Sequence, residues 1–521
     1  MKLYQLLLSL PLSLVLISAC SHQPLVQDTK PIEPRVASPV VPVLDQWQPE
    51  QSSADENADL WQRIINAYGF NQDIDNPRVR AQLNWYKKHQ AYMDRMATRA
   101  ERYMYYIAEQ IDVRDIPGEL ALLPIVESAF DPFAYSHGRA SGVWQFIPST
   151  GRDFGLNQDW WSDGRRDISA STIAALTYLE ALQREFKGDW LLALASYNTG
   201  AGNVRKAIRK NKRLGKPTDF WSLSLPRETR EYVPKLIALA QLIKDPEKHG
   251  ITLKPLANVP YFASVNTGGQ IDLSQLADIS QTPLDEIYKL NPGFNRWATS
   301  PNGPHDVLIP VDKQEIYLKN IAELPKNERM KWQRYKVKGG DSLITIAKKF
   351  HTTPDALKDA NNLRRNMIRT GDQLLIPSAH KSLDSYSYSA GSRLAKIQNS
   401  SKRSKNRDKI EYSVQGGDSF WEIARDHDVG IRELAKWNGM APGDMLKQGQ
   451  KLVIWGQKKV RKNREVIRKL TYTVRNGDSL ARIADKFRVR VQDLIRWNRK
   501  NSKSKYLQPG QRLTLYVDVT N

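Results

Sequence analysis

A single cysteine, Cys20, stands in 521 residues, so disulfide frameworks and cysteine-ligated metal sites are excluded. Long apolar runs are scarce as well. Outside the N-terminus no stretch approaches the ~20 residues that a membrane-spanning helix needs. Strand-like alternation is missing between residues 76 and 250, so that stretch is expected to be mostly helical. Acidic charge is short in one part of the chain only. Residues 331–521 carry 41 Lys and Arg against 18 Asp and Glu, whereas residues 1–330 carry 37 against 38. The whole net charge of +22 is therefore C-terminal and implies an acidic partner: nucleic acid, anionic lipid or an anionic polymer such as cell wall.

The chain is too long for one hydrophobic core, because single cores stop growing near roughly 250–300 residues. A hydrophobic content of 40% with 26% charged residues is that of ordinary globular protein. Several domains are expected. At the N-terminus Lys2 precedes the apolar run Leu6 to Ile17, which closes with Ile17-Ser18-Ala19-Cys20. This has the form of a secretory signal with a small-residue cleavage site. Residues 20–75 read as a Pro-, Val-, Gln- and Asp-rich tether followed by an N-terminal extension, with helical spacing from Trp61.

Within 76–250 the apolar spacing of Tyr86, Met93, Met96, Tyr103 and Ile107 predicts one long amphipathic helix from Leu83 through Ile107. A second helix is expected from Asp115 as cap through Glu127, with Pro124 inside it bending the last turn. Further helices are expected from a Ser169 cap to Phe186, over Trp190–Ala195, over Val204–Lys210 and over Tyr232–Ile243. Glu127 ends an apolar run and is followed by a Gly-, Ser- and Trp-containing stretch, which places one carboxylate beside a groove. Desolvation there should raise its pKa toward the range of a general acid. As a mere polar helix end, it would have no such role.

Self-comparison finds a repeat. Tyr335 to Leu343, Tyr412 to Phe420 and Tyr472 to Leu480 share a Gly-Asp-Ser turn, and each is followed by Ile-Ala with an Asn 14 residues after that Ala: Asn361, Asn438 and Asn498. Each unit reads as β-α-α-β. Ala277 and Asn291 keep the same interval without the Gly-Asp-Ser turn, so residues 258–325 are a degenerate copy expected to pack rather than bind. The good copies are 334–378, 411–455 and 471–517. They are separated by a Ser/Lys/Arg linker, 379–409, and a basic linker, 456–470, both expected to be flexible and solvated.

Three resemblances follow from these residues. The segment ending at Cys20 resembles a bacterial lipobox. It implies a signal peptide, 1–19, and an acylated Cys20; Ser21 in the following position implies outer-membrane sorting, with the chain facing the periplasm. The repeats resemble LysM modules, which implies binding of N-acetylglucosamine-containing glycans such as peptidoglycan through Asp341-Ser342, Asp418-Ser419 and Asp478-Ser479. An exported lipoprotein without a dense basic helix face is not expected to bind nucleic acid.

The region 76–250 resembles the soluble-lytic-transglycosylase domain, a goose-type lysozyme-like helical fold. Glu127-Ser128, the stretch Ser136 to Gly151, Ala195 to Asn203, and Glu228-Thr229-Arg230-Glu231-Tyr232-Val233 follow that family's patterns in order. Two departures, Arg139 between Gly138 and Ala140 and Ser196 before Tyr197, leave the acid untouched. The resemblance implies Glu127 as sole catalytic acid, with Ser136, Gln145, Tyr197, Asn198 and Tyr232 at the sugar. It implies cleavage between N-acetylmuramic acid and N-acetylglucosamine with a 1,6-anhydro product, and no metal or cofactor. Glycosidases usually employ two carboxylates; Asp131, Asp153, Asp159, Asp163 and Asp167 are available, but none matches a catalytic position. A hydrolytic muramidase and an inactive wall-binding tether remain as alternatives.

Overall fold

The computed structural model describes residues 59–350, 352–400, 408–456, 467–487, 489–498 and 507–518. The signal segment, Cys20, most of the tether and most of the 456–470 linker lie outside the described residues. Two compact units are present, one ending at Arg393 and one starting at Leu394.

The first unit begins with helices α1 (Leu60–Asn66), α2 (Pro77–Lys87), α3 (Gln90–Ala100), α4 (Met104–Asp112), α5 (Leu123–Ser128), α6 (Pro148–Asp153), α7 (Ile168–Glu185), α8 (Trp190–Thr199), α9 (Ala201–Arg213) and α10 (Arg227–Lys244). Their starts follow local chemistry. Asp59, Asn76, Asp167 and Asp189 each accept a hydrogen bond from a first-turn amide, which satisfies donors that a helix start leaves open. Asp167 rather than Ser169 caps α7. The α10 face carrying Leu236, Leu239 and Ile243 is fully buried with Met96, Met104 and Ile107 in one core, each such side chain contributing about 1.5–3 kcal/mol of burial.

The long helix expected over Leu83–Ile107 is three pieces. His89 ends the first by stacking on Trp85 at 4.1 Å and placing Nδ1 2.6 Å from the Trp85 carbonyl oxygen. All five periodic residues are nevertheless buried, so the spacing identified the inward face and missed the corners. The N-terminal extension belongs to the same core: Leu60, Trp61 and Ile64 are buried, the Leu60 amide donates to Leu256 O at 2.8 Å, and Trp61 Nε1 donates to Lys254 O at 2.9 Å.

After α10 come β1 (Phe262–Asn266), α11 (Leu273–Ile279), α12 (Leu284–Leu290), β2 (Asp306–Pro310) and α13 (Gln314–Glu323), then β3 (Lys331–Lys336), α14 (Leu343–Lys349), α15 (Pro354–Ala360) and β4 (Gln373–Ser378). The boundary between the units falls inside α16 (Ala390–Ser400). The second unit continues with β5 (Asp408–Ser413), α17 (Phe420–Asp426), α18 (Ile431–Trp437), β6 (Lys451–Gly456), β7 (Ile467–Thr473), α19 (Leu480–Lys486), α20 (Val491–Asn498) and β8 (Arg512–Asp518). Each β-α-α-β unit closes as a two-stranded antiparallel sheet of its first and last strands: β1 with β2, β3 with β4, β5 with β6 and β7 with β8.

The 14-residue Ala-to-Asn interval now has a cause. In all four copies the Asn amide group donates to a carbonyl of the second helix and to one of the closing strand, and its oxygen accepts an amide of that strand. One side chain thus clasps helix to strand, in the degenerate copy as in the others.

Within the 379–409 linker, the stretch 380–393 is not the solvated spacer its Ser, Lys and Arg content suggests. Tyr386 is fully buried, and its hydroxyl donates to Asp272, the cap of α11, whose oxygens lie 2.9 Å away. The His380 amide adds a 2.8 Å bond to Asp272. Tyr388 stacks on Phe133 with centroids 5.1 Å apart. Two aromatic side chains anchor the stretch although its polar neighbours 381–385 stay exposed, since aromatic rings carry a large share of packing energy.

Candidate active site

Glu127 is delivered by a tightly packed turn. The 3-10 helix Gly118–Leu122 is entirely buried, and a Cβ on Gly118 would meet Ile64 O at 2.4 Å. The chain then enters α5 with Pro124 in its first turn, where the missing amide hydrogen costs nothing. The expected Asp115-capped helix with an internal kink is therefore replaced by a 3-10 turn and a fresh α-helix. Immediately after Ser128, Ala129 and Phe130 both adopt left-handed backbone, φ 50° and 54°. Two successive non-glycine residues there cost roughly 1–2 kcal/mol each. The left-handed Ala129 ends α5 at Ser128, the residue after Glu127.

Tyr232 of α10 donates a short hydrogen bond to Glu127 Oε1. Glu127 is half-buried as a residue, and burial is the largest influence on its carboxyl. Burial pushes it up to about 7; the Tyr232 bond opposes this, Glu228 adds to it and Lys235 opposes it. Burial and the Glu127 charge hold Tyr232 and Tyr197 well above the usual phenol range. Both therefore remain donors at any working pH.

The Gly-containing stretch wraps around this point. Ser128 Oγ lies 3.0 Å from Val143 O and 3.1 Å from Pro124 O, tying the acid's helix to the stretch. Tyr197 Oη donates to Trp144 O at 2.8 Å. Gln145, itself left-handed at φ 52°, donates through Nε2 to Gly142 O at 2.7 Å. Ser136 Oγ accepts the Ala140 amide at 3.0 Å, and Asn198 Oδ1 accepts Thr229 Oγ1 at 2.8 Å. Gly142 admits no side chain, since a Cβ would lie 2.2 Å from Arg165 O. Ser136, Gln145 and Tyr197 thus bond backbone groups of Ala140, Gly142 and Trp144, Asn198 bonds the Thr229 side chain, and Tyr232 is bonded directly to Glu127.

Sequence reasoning missed Thr229, Ser128 and the buried Arg165, whose Nη1 donates to Arg139 O at 2.6 Å and Phe146 O at 3.1 Å. Thr229 and Ser128 lie inside the Glu228–Val233 and Glu127-Ser128 motifs, where the sequence alone gives them no role. Arg165 carried no signal, because nothing local distinguishes a buried arginine from an exposed one. The other carboxylates are engaged elsewhere. Asp163 is held by Arg165 at 2.8 Å, Asp167 caps α7, Asp159 accepts Ser162, and Asp131 lies 3.7 Å from Arg99; Asp153 is exposed. Among the described residues no group of three or more His, Cys, Asp or Glu is placed to hold a metal ion. A cavity of about 370 Å³ lies among Asp167, Asn291, Asp306 and their neighbours; its lining includes neither Glu127 nor any residue expected at the sugar.

In the repeats, Asp341, Asp418 and Asp478 each accept a tyrosine hydroxyl, from Tyr335, Tyr412 and Tyr472, at 2.7–2.8 Å, and a backbone amide three residues earlier. Ser342, Ser419 and Ser479 cap α14, α17 and α19. The shared Gly-Asp-Ser turn is therefore explained by folding before any ligand is considered.

Comparison with known proteins gives three family matches. The Transglycosylase SLT domain matches residues 104–220, which include Glu127, Ser136, Gln145, Tyr197 and Asn198 and stop before Tyr232. The LysM domain matches 335–377, 412–455 and 472–515. A LysM-like domain of lytic transglycosylase MltD matches 261–326. The membrane-bound lytic murein transglycosylase D of Escherichia coli (strain K12) is 36% identical over 414 residues, 77% of this chain and 87% of that one. The membrane-bound lytic murein transglycosylase F of Desulfosudis oleivorans is 31% identical over 137 residues, 25% of this chain and 29% of that one. Among solved structures, an inactive mutant of the lytic transglycosylase Slt from Pseudomonas aeruginosa is 21% identical over 28% of this chain and 24% of that one, with a TM-score of 0.22.

Proposed function

The chain belongs to the family of the membrane-bound lytic murein transglycosylases D, and we propose that Glu127 is the acid with which it cleaves peptidoglycan. It is a cell-wall lytic transglycosylase with LysM repeats. The observation that carries the assignment of Glu127 is the hydrogen bond from Tyr232 to its carboxyl, which burial pushes up to about 7. An acid of that pKa is protonated often enough to donate and ionised often enough to accept, which is what one residue serving both steps requires.

In this mechanism protonated Glu127 donates to the glycosidic oxygen between N-acetylmuramic acid and N-acetylglucosamine. The substrate's acetamido group stabilises the developing oxocarbenium ion. Glu127, now ionised, takes the proton of the C6 hydroxyl as that oxygen attacks the anomeric carbon, giving a 1,6-anhydromuropeptide with no water consumed. Tyr232 orients the carboxyl through its own hydroxyl. Ser136, Gln145, Tyr197 and Asn198 hold the groove wall in place and present it to the sugar. The LysM repeats add glycan contacts near Asp341, Asp418 and Asp478, and raise avidity through effective concentration.

Glu127→Gln should abolish release of fragments from purified sacculi while sacculus binding persists; unchanged turnover overturns the assignment. Product masses decide the chemistry. Anhydro ends support the mechanism, and reducing ends one water heavier replace it with hydrolysis. If the unaltered protein releases no fragment, a wall-binding tether is the better reading.

Acylation of Cys20 and residence at the outer membrane, facing the periplasm, rest on the N-terminal sequence. Among the described residues no helix is long and apolar enough to cross a membrane. Labelling with a fatty-acid analogue, lost in Cys20→Ala together with membrane fractionation, tests the anchor.

A further inference from the structure

Six residues after Glu127, Phe133 becomes the floor of a cluster of guanidinium groups. Arg393 lies over its ring at 4.7 Å, and Arg166 and Arg296 are close enough to act on Arg393 electrostatically. Arg166 ends the turn Gly164–Arg166, Arg296 lies between α12 and β2, and Arg393 is in α16. Three separate parts of the first unit thus converge.

Their hydrogen-bond partners are neutral. Arg166 Nη2 donates to Asn295 Oδ1, Arg296 Nε to Trp160 O at 3.0 Å, and Arg393 Nη1 to Tyr388 O at 2.6 Å. Among the described residues the carboxylate acting on Arg393 is Asp163, and both its oxygens are taken by Arg165 at 2.8 and 2.9 Å, leaving Arg166 at 3.8 Å. Asp131, Asp285 and Glu286 act on Tyr388 instead. Arg166 is buried, and its Nε has no hydrogen-bond partner among the described residues. Burial pushes Arg393 down to about 9, Arg166 and Arg296 add to this, and Tyr288 and Asp163 oppose it. A guanidinium keeps its proton under such pressure, so the cluster is a concentration of positive charge short of a counter-ion. Arg296 and Arg393 retain partial exposure, which leaves a route from solvent.

We propose that this arginine cluster binds a carboxylate of the peptides that peptidoglycan strands carry, beside the groove served by Glu127. The proposal rests on the transglycosylase reading for its ligand. Its position fits: the Arg165 side chain next in sequence to Arg166 props the loop of Ser136 and Gln145, and Tyr135 of that loop acts on Arg166. Guanidinium groups recognise carboxylates through paired, charge-assisted hydrogen bonds, and a planar, weakly hydrated cation suits a part-buried site better than lysine does.

The test uses the full chain and two substrates, glycan strands bearing their peptides and the same strands stripped of them. The unaltered protein should show a KM about tenfold lower on peptide-bearing strands. In Arg393→Gln and Arg296→Gln that ratio should collapse toward one, with kcat on peptide-bearing strands little changed, and Arg393→Lys should restore part of it. Equal KM values for the unaltered protein, or an unchanged ratio in both Gln variants, overturn the anion site while cleavage of both strands leaves the transglycosylase reading standing. If neither strand is cleaved, the transglycosylase reading itself fails. Calorimetry with the free stem peptide reads the site without catalysis: binding about tenfold weaker in Arg393→Gln supports it, and equal binding sinks it.

Discussion

Glu127 in the helical part of the first unit and Asp341 in the first intact repeat make the same bond and respond to it differently. Each accepts a tyrosine hydroxyl, from Tyr232 and Tyr335 respectively. The Asp341 carboxyl is pulled below its ordinary value by the Lys338 amide and by Tyr335, whereas burial drives Glu127 up to about 7 despite Tyr232. A phenol donor favours the charged form in both places. What differs is the balance: burial is the largest influence on Glu127, and hydrogen-bond donors are the largest on Asp341. Enclosure decides which becomes an acid for chemistry and which a clasp for a turn.

The comparison is broken most directly by Glu127→Gln, which should lower turnover of sacculi about a thousandfold, the scale of a lost general acid. The same variant has an opposite effect on stability. Because the folded-state value is raised from 4.5 to about 7, the folded chain binds the extra proton, so stability is fully present below 4.5 and is lost as pH rises through 7. Above pH 7, Glu127→Gln should therefore exceed the parent in stability by on the order of 3 kcal/mol, a gap that closes below pH 4.5, as denaturant titrations across pH should read. Tyr232→Phe comes next. Losing a donor to the ionised form raises Glu127 further, so the alkaline limb of the activity profile should move to higher pH and kcat should fall about tenfold. A limb that stays in place would show that Tyr232 packs rather than tunes. Asp341→Asn should give the smallest effect, of the opposite pH sense. Asp341 titrates below its ordinary 3.8, so its contribution is present above that value and fades as pH falls; the variant's thermal midpoint should lag the parent near neutrality and meet it in acid.

What could be read in the sequence was local. Glu127 at the end of an apolar run, the Gly-Asp-Ser turns and the Ala-to-Asn interval are each set within one short stretch, the widest bond reaching 17 residues, so spacing exposes them. The Tyr232–Glu127 bond spans 105 residues and entered only through family resemblance, since no spacing rule brings α10 to α5. Tyr386 and Asp272, 114 residues apart, had no resemblance to reveal them, and a segment ordered by that bond read as a polar linker. The corners that break Leu83–Ile107 into three helices were hidden because the buried stripe runs on through them. Long-range partners of single polar atoms leave no periodic trace.

The carboxyl of Glu119 shows where the catalytic unit begins. It is fully buried in the 3-10 turn that leads to Glu127, and it accepts the amides of Gly69 and Phe70 at 2.9 and 2.8 Å and the Gln72 side chain at 2.6 Å. A recombinant fragment trimmed at residue 76 would keep every motif residue and strip this carboxyl of all three donors. The usable N-terminal cut for a minimal enzyme is therefore before Asp59.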